Sequence, residues 1–361
     1  MMGGILSRYL SKQFLKTIIA IFLGVFILIF SIDYLEMSRR MGDIEGVSSV
    51  FIFQLSLFRS PAIAEQVFPF AVLFGSMVTL LQLSRKLELV IARSAGISAW
   101  QFLQPGIIVA LILGIISVCA FNPLSAFLKK KALSMEAEIS SGAGKAVASE
   151  TIWFRQILPE GYAIIQANGI LFDAPVLTGI TVFVFTEDGQ FKERIEAREG
   201  ILHKGKWELK NVDVVSSVNE PQSYEVMELP SNLKASQLHQ SFASADSVPF
   251  WNLREMIRQT EKSGLDGTRY RLQFISLLMR PLLFVAMVLV AASVSLRFFR
   301  FGGITKLVLG GIFAGFFLYV ATQLVQELGS SGLLNPWIAA GTPVCIGGLL
   351  GTLALLYQED G

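Results

Sequence analysis

The chain has 361 residues, 53% of them hydrophobic and only 16% charged, with a mean hydropathy of +0.57, whereas a globular chain is roughly a quarter charged. This composition excludes a protein that lives wholly in water, and the charge is unevenly spread, with apolar ends and a polar middle. A net charge of +2 without a long Lys/Arg block interleaved with aromatics excludes a nucleic-acid footprint.

Arg8, Lys12 and Lys16 lead into an apolar run from Phe14 to Ile32. The run is longer than a signal-peptide core and has no small-residue cleavage site, so it reads as a retained anchor. Five further runs are long enough to cross a bilayer: Ala62 to Leu83, Trp100 to Leu128, Leu272 to Leu296, Lys306 to Gly329 and Leu333 to Tyr357. They are continuously apolar, without the alternation of a barrel strand, so the expectation is an α-helical membrane bundle of six transmembrane helices. Basic residues in the N-terminal arm, in the second connection (Arg85, Lys86, Arg93) and in the fourth (Arg297, Arg300, Lys306) place those segments in the cytoplasm, together with both termini. The first connection runs against that rule, because Arg39, Arg40 and Arg59 fall on the opposite side.

Between the third and fourth spans, short alternating segments such as Thr151–Arg155, Tyr162–Ile165, Ile180–Phe185 and Lys206–Leu209 are separated by turn residues at Glu187–Gln190 and Lys204–Lys206. About seven or more antiparallel strands are expected, forming a sandwich or an incompletely closed roll. Pro249 to Ile257 returns to helical period. The expected domains are therefore 1–133 with spans one to three, 134–269 as an external β domain, and 270–361 with spans four to six.

Enzyme chemistry finds little support. Cys119 and Cys345 both sit in apolar runs and read as packing residues. His203 and His239 have no metal-ligand spacing to Cys, Asp or Glu and read as surface residues. Ser141–Ala146 resembles a phosphate loop, but it lacks the leading glycine and has Ala146 where the magnesium-binding hydroxyl belongs. No catalytic residue, metal or cofactor is assigned to this chain.

Three groups of residues carry a functional reading. In Ser84–Ser98, Leu87, Val90, Ile91 and Ala95 form an apolar stripe with Arg85, Glu88 and Arg93 elsewhere, and Ala92, Ala95 and Gly96 are small enough for close approach. The segment reads either as a helix lying in the headgroups or as a coupling helix that docks in a separate ATPase, with Glu88 free for an ion pair. The second group is basic: Arg39, Arg40 and Arg59, with Lys129, Lys130 and Lys131 after the third span, read singly as headgroup anchors and together as a site for a multiply anionic lipid headgroup. Arg280, beside Pro281 inside the fourth span, is either a functional intramembrane charge or a snorkelling one. Glu65 and Glu327 read as interfacial, and the scarcity of other buried ionisable groups argues against an ion-coupled transporter.

Glu88–Gly96, Asn122-Pro-Leu-Ser125, Gly205–Val212, Arg280-Pro-Leu282 and Leu328–Pro336, in this order and with three spans on each side of the insert, resemble the lipopolysaccharide export permease family, LptF/LptG. Length and the tail after the fourth span resemble the LptG branch. The resemblance implies a bacterial inner-membrane permease that extracts lipopolysaccharide, paired with a second, LptF-like permease and served by an LptB-like ATPase dimer that binds ATP and Mg. It implies a periplasmic β-jellyroll insert that passes the lipid to LptC-like and LptA-like jellyroll proteins. It also implies that Glu88 contacts the ATPase, that Arg39 and Arg40 lie where lipid phosphates bind, and that the lipid enters between the first and fifth spans. Phe26, Phe30, Phe316 and Phe317 on those spans are candidates to line an acyl cavity. A rival reading makes the chain a membrane-anchored periplasmic scaffold without transport activity.

Overall fold

The computed structural model describes residues 4–42, 47–142, 152–158, 161–171, 176–186, 188–203, 205–216, 221–231, 245–262, 266–300 and 304–360. Expectations at Thr151, Glu187, Lys204, His239 and residues 143–146 lie outside these, as does the side chain of Arg93. The chain separates into two compact units, residues 1–129 with 245–255 and 267–361, and residues 130–244 with 256–266.

Before the sheet the chain forms α1 (Gly4–Met41), α2 (Ser49–Arg85), the short α3 (Glu88–Ser94), α4 (Ala99–Ile116), a π-helical turn (Ser117–Phe121) and α5 (Asn122–Gly142), whose residues from Lys130 on belong to the second unit. After the sheet come α6 (Phe250–Lys262), α7 (Thr268–Arg300), α8 (Ile304–Ser330) and α9 (Pro336–Asp360). Among the described residues, six helical stretches are long and apolar enough to cross a membrane, as expected. α1 has 38 residues, about 57 Å at 1.5 Å each, so it continues well past the roughly 30 Å hydrocarbon layer.

Local chemistry sets the breaks between helices. Ser48 caps α2 by accepting from Phe51 N at 3.2 Å. Ser98 and Gln101 form a reciprocal capping box at the start of α4. α2 ends because Leu87 takes a left-handed φ of 62°, which a helix of L-residues cannot propagate.

α7 is the central element, packed against α2, α4, α8 and α9, while α1 lies on α2 and α4. Glycine permits two of these approaches. A Cβ on Gly75 would fall 2.7 Å from Ile18 Cα, and one on Gly114 would fall 2.4 Å from Pro281 Cα. At mid-bundle Phe22 stacks on Phe68 with centroids 4.3 Å apart, and Phe68 meets Phe284 at 5.0 Å and Phe121 at 6.1 Å. In a bilayer such packing, rather than escape from water, holds helices together.

The second unit contains one antiparallel sheet in the order β1 (Ile152–Leu158), β2 (Gly161–Leu171), β3 (Val176–Phe185), β4 (Phe191–His203), β5 (Lys206–Ser216) and β6 (Gln222–Pro230). Six strands are described, where about seven or more were expected, and each pairs with its neighbours in sequence.

The buried face changes parity along the strands. In β3 it passes from Leu177 to Ile180, Val182 and Val184, and in β5 from Trp207 and Leu209 to Val212 and Val214. The switch points, Gly179 (φ 59°) and Asn211 (φ 50°), are left-handed residues, the conformation in which glycine and asparagine are least strained.

The sheet rolls. Flat, β1 and β6 would lie about 24 Å apart, five strand spacings of about 4.8 Å. Yet Gln156 of β1 donates from Nε2 to the Pro230 carbonyl of β6 at 2.5 Å. Gln156 is 4% exposed, and its Oε1 accepts from Trp207 Nε1 and Ser231 Oγ, both at 3.1 Å. One buried amide thus ties the two edges and the core tryptophan together, consistent with the expected incompletely closed roll.

Candidate functional site

At one end of the bundle the chain reverses from α2 through α3 into α4. Leu89 and Ala92 of α3 are buried at 5% and 8% exposure, in the same core as Leu10, Phe14, Leu80 and Leu83. The face that packs is therefore separate from the apolar stripe of Leu87, Val90, Ile91 and Ala95. Leu87, Val90 and Ile91 are exposed at 58%, 46% and 64%, and Ala95 is exposed with them. Ala92, expected to admit a partner, packs inside its own bundle instead. Glu88 sits at the α3 N-terminus, which favours a carboxylate, and accepts a hydrogen bond from Tyr9 Oη at 3.2 Å. Arg85 is exposed, and Gly96 turns the chain at φ 81° with open space around it.

At the opposite end of α1, Arg39 is exposed and Arg40 pairs with Glu36 one turn back at 2.6 Å. Arg59 turns inward, 3.4 Å from Asp33, a 5% exposed acid that the sequence reading passed over. Lys129 is paired with Asp246, while Lys130 and Lys131 are exposed. Phe26 and Phe30 are half-buried on α1, with Phe30 packed edge-on to Phe53 at 5.2 Å. Phe316 and Phe317 on α8 are exposed at 63% and 64%. α1 packs on α2 and α4, and α8 on α7, α9 and α2. Cys119 and Cys345 are free thiols on outward faces rather than packing residues.

Inside the bundle lies a polar cluster. Arg280 of α7 forms an ion pair with Glu65 of α2, with side chains only 14% and 7% exposed. Glu65 is thus buried and paired rather than interfacial. Its carboxylate also accepts from Asn122 Nδ2 at 2.9 Å and from Ser125 Oγ, and Arg280 reaches Ser117 Oγ at 3.5 Å. Asn122 Oδ1 in turn accepts from the backbone N–H of Phe250 at 2.9 Å. Buried charge is tolerable when paired and hydrogen-bonded, and every oxygen of Glu65 has a partner. The sequence signal for this cluster was an acid in one span and an arginine in another, and nothing local connects them.

Beside the pair opens a cavity of about 210 Å³ lined by Gln66, Gln273, Ser276, Thr322 and Gln323 among others. Its charged members are matched: Arg280 by Glu65, and Asp246 by Lys129.

The sequence matches the family described as lipopolysaccharide export system permease LptF/LptG over residues 8–358. The chain belongs to this family. Among curated relatives it is similar to the lipopolysaccharide export system permease protein LptG of Escherichia coli strain K12, 23% identical over 360 residues covering 96% of this chain and 94% of that protein. The LptG protein of Haemophilus influenzae is likewise 23% identical, over 378 residues covering 98% and 96%. An LptF/LptG permease with six spanning helices is a multi-pass transporter component, and the β insert is part of that architecture.

Proposed function

We propose that this chain is the LptG-type permease of an ATP-driven lipopolysaccharide exporter of the bacterial inner membrane. In this reading both termini and α3 face the cytoplasm, and the β unit faces the periplasm. The observation that carries it is the two-sided packing of α3. Leu89 and Ala92 root it in the bundle, while Leu87, Val90, Ile91 and Glu88 remain as an apolar and acidic surface for a separate subunit. A helix fixed on one side and open on the other can pass force from a nucleotide-driven partner into α2 and α4. That partner is an LptB-like ATPase dimer, which binds ATP and Mg.

A second, LptF-like permease covers the outward faces of α1 and α8, where Phe26, Phe30, Phe316 and Phe317 line the acyl chains. The phosphates of the lipid meet Arg39, Arg40 and Lys130. Arg280 and Lys129 are already matched by Glu65 and Asp246, so they contribute little net charge to a phosphate. Lipid tails gain little on moving from bilayer to cavity, so ATP hydrolysis supplies the extraction work. The β unit then hands the lipid to LptC-like and LptA-like jellyroll partners.

Purification from native membrane tests the reading: an ATPase subunit should accompany the chain, and Glu88→Arg should abolish stimulated ATP hydrolysis while the bundle stays folded. Full stimulation in Glu88→Arg, or engineered cysteines placing α3 and the β unit on one face of the membrane, would overturn it.

A further inference from the structure

The spans need a fixed reference if a push on α3 is to move lipid, and the polar cluster offers one. Glu65, Asn122 and Arg280 belong to α2, α5 and α7, three elements brought together from distant parts of the chain. Asn122 is 1% exposed and does two different things at once. Its Nδ2 donates to Glu65, and its Oδ1 accepts from Phe250 N, the first residue of α6 on the chain returning from the insert. A carboxylate suits only a donor and an N–H suits only an acceptor, so the amide has one workable orientation.

The same return segment is stitched to the third span elsewhere. Pro123 has no N–H to give the Cys119 carbonyl four residues earlier, and Trp251 Nε1 donates to that carbonyl at 3.4 Å. Phe250 also stacks on Phe274 of α7, with centroids 5.3 Å apart and rings within 5° of parallel. The π-helical turn ends where Asn122 begins, its last backbone bond running from Asn122 N to Ser117 O. Such turns often mark functional positions, because the extra residue swings a side chain out of helical phase.

The geometry points to Asn122 as a positioning residue for lipid export. It locks the start of α6 to the Glu65–Arg280 pair, so that α2, the third span, α7 and the chain returning from the insert move as one piece. This rests on the permease reading. It also gives Arg280 a role other than phosphate binding: its charge is spent on Glu65, and through Glu65 it orients Asn122. The substitution Glu65→Arg with Arg280→Glu separates the two halves of the device. The swapped ion pair can re-form, but Asn122 would then have to turn its oxygen to Arg and its NH₂ to the Phe250 N–H, leaving two donors facing each other.

The test uses the full permease–ATPase complex reconstituted in vesicles containing lipopolysaccharide, reading ATP hydrolysis and lipid crosslinked to the β unit separately. Asn122→Ala should lower lipid delivered per ATP about tenfold, the population shift that one lost hydrogen bond to a charged group supports, in a complex that still assembles. The charge-swapped pair should recover the melting temperature lost in either single reversal while its lipid-to-ATP ratio stays low. If Asn122→Ala does not assemble, Trp251→Phe, which removes only the indole donor to the third span, should lower the ratio about twofold. A wild-type ratio in Asn122→Ala, in Trp251→Phe as that second arm, or in the charge-swapped pair overturns the inference. A wild-type complex that moves no lipid overturns the permease reading, and the inference with it.

Discussion

The guanidinium of Arg280 and the carboxylate of Glu65 meet inside the helix bundle although 215 residues separate them in sequence. Each neutralises what would otherwise be an expensive intramembrane charge. The pair joins the first half of the bundle to the second through α2 and α7.

Removal of one partner strands the other. Glu65→Leu or Arg280→Met alone should destabilise the protein by about 3–5 kcal/mol, whereas the double substitution should recover most of that loss. Thermal unfolding of the detergent-solubilised chain reads the difference, and equal melting temperatures for wild type and Glu65→Leu would refute the buried-pair assignment.

The two faces of α3 should respond oppositely. Leu89→Ser removes a 5% exposed side chain from the core and adds a buried hydroxyl, costing about 3 kcal/mol or more. Ile91→Ser, at 64% exposure, should leave the melting temperature within about 1 °C but reduce copurified ATPase at least tenfold, as loss of a buried interface anchor does. Retention of the ATPase by Ile91→Ser would place the docking surface elsewhere.

Gln156→Leu should open the β roll. Three hydrogen bonds are lost and Trp207 Nε1 and Ser231 Oγ lose a buried acceptor, worth about 2–4 kcal/mol together. Hydrogen exchange in the full-length protein should rise first in β1 and β6, the two edges that this side chain ties. Unchanged protection there counts against the tie.

Gly114→Ala brings a methyl to 2.4 Å from Pro281 Cα, forcing α4 and α7 apart beside Arg280 at a cost of about 1–3 kcal/mol. Gly24→Ala, with nothing within 4 Å of its new methyl, serves as the control and should change stability by no more than about 0.5 kcal/mol. Melting temperatures of the two variants should therefore diverge; if they coincide, the close contact is not real.

Arg39 and Arg40 should also differ. Arg40 already has Glu36 at 2.6 Å, a surface pair worth at most about 0.5 kcal/mol, so both can reach a lipid, but only Arg39 does so without giving up that partner. Crosslinking of lipopolysaccharide should fall further with Arg39→Glu than with Arg40→Glu. The reverse order would mean that the lipid approaches from the Glu36 side.

The length of the continuous apolar runs made the six spans visible in the sequence, because a helix facing lipid must be apolar all round over the whole hydrocarbon layer. The helices are longer than those runs: hydropathy registers only the hydrocarbon layer, whereas α1 and α2 continue to Met41 and Arg85 with polar residues at their ends. The alternation of β3 and β5 was also legible, but not its change of parity at Gly179 and Asn211. In the candidate site the apolar stripe of α3 was legible, but not that Leu89 and Ala92 beside it pack into the bundle. The basic residues were found individually, Glu65 was read as interfacial rather than as the partner of Arg280, and Asp33 and Asp246 were not singled out.

The sequence by itself determined the solvent of each segment, the number of spans, the insertion of a β unit between the third and fourth, and the membership of a permease family, because these follow from composition and order along the chain. Only the tertiary structure decided which charges are free to meet a ligand. Arg280, Arg59 and Lys129 look like Arg39 and Lys130 in one dimension, but they are matched by carboxylates brought to them from other parts of the chain. Coulomb interaction depends on distance in space, and packing alone sets that distance.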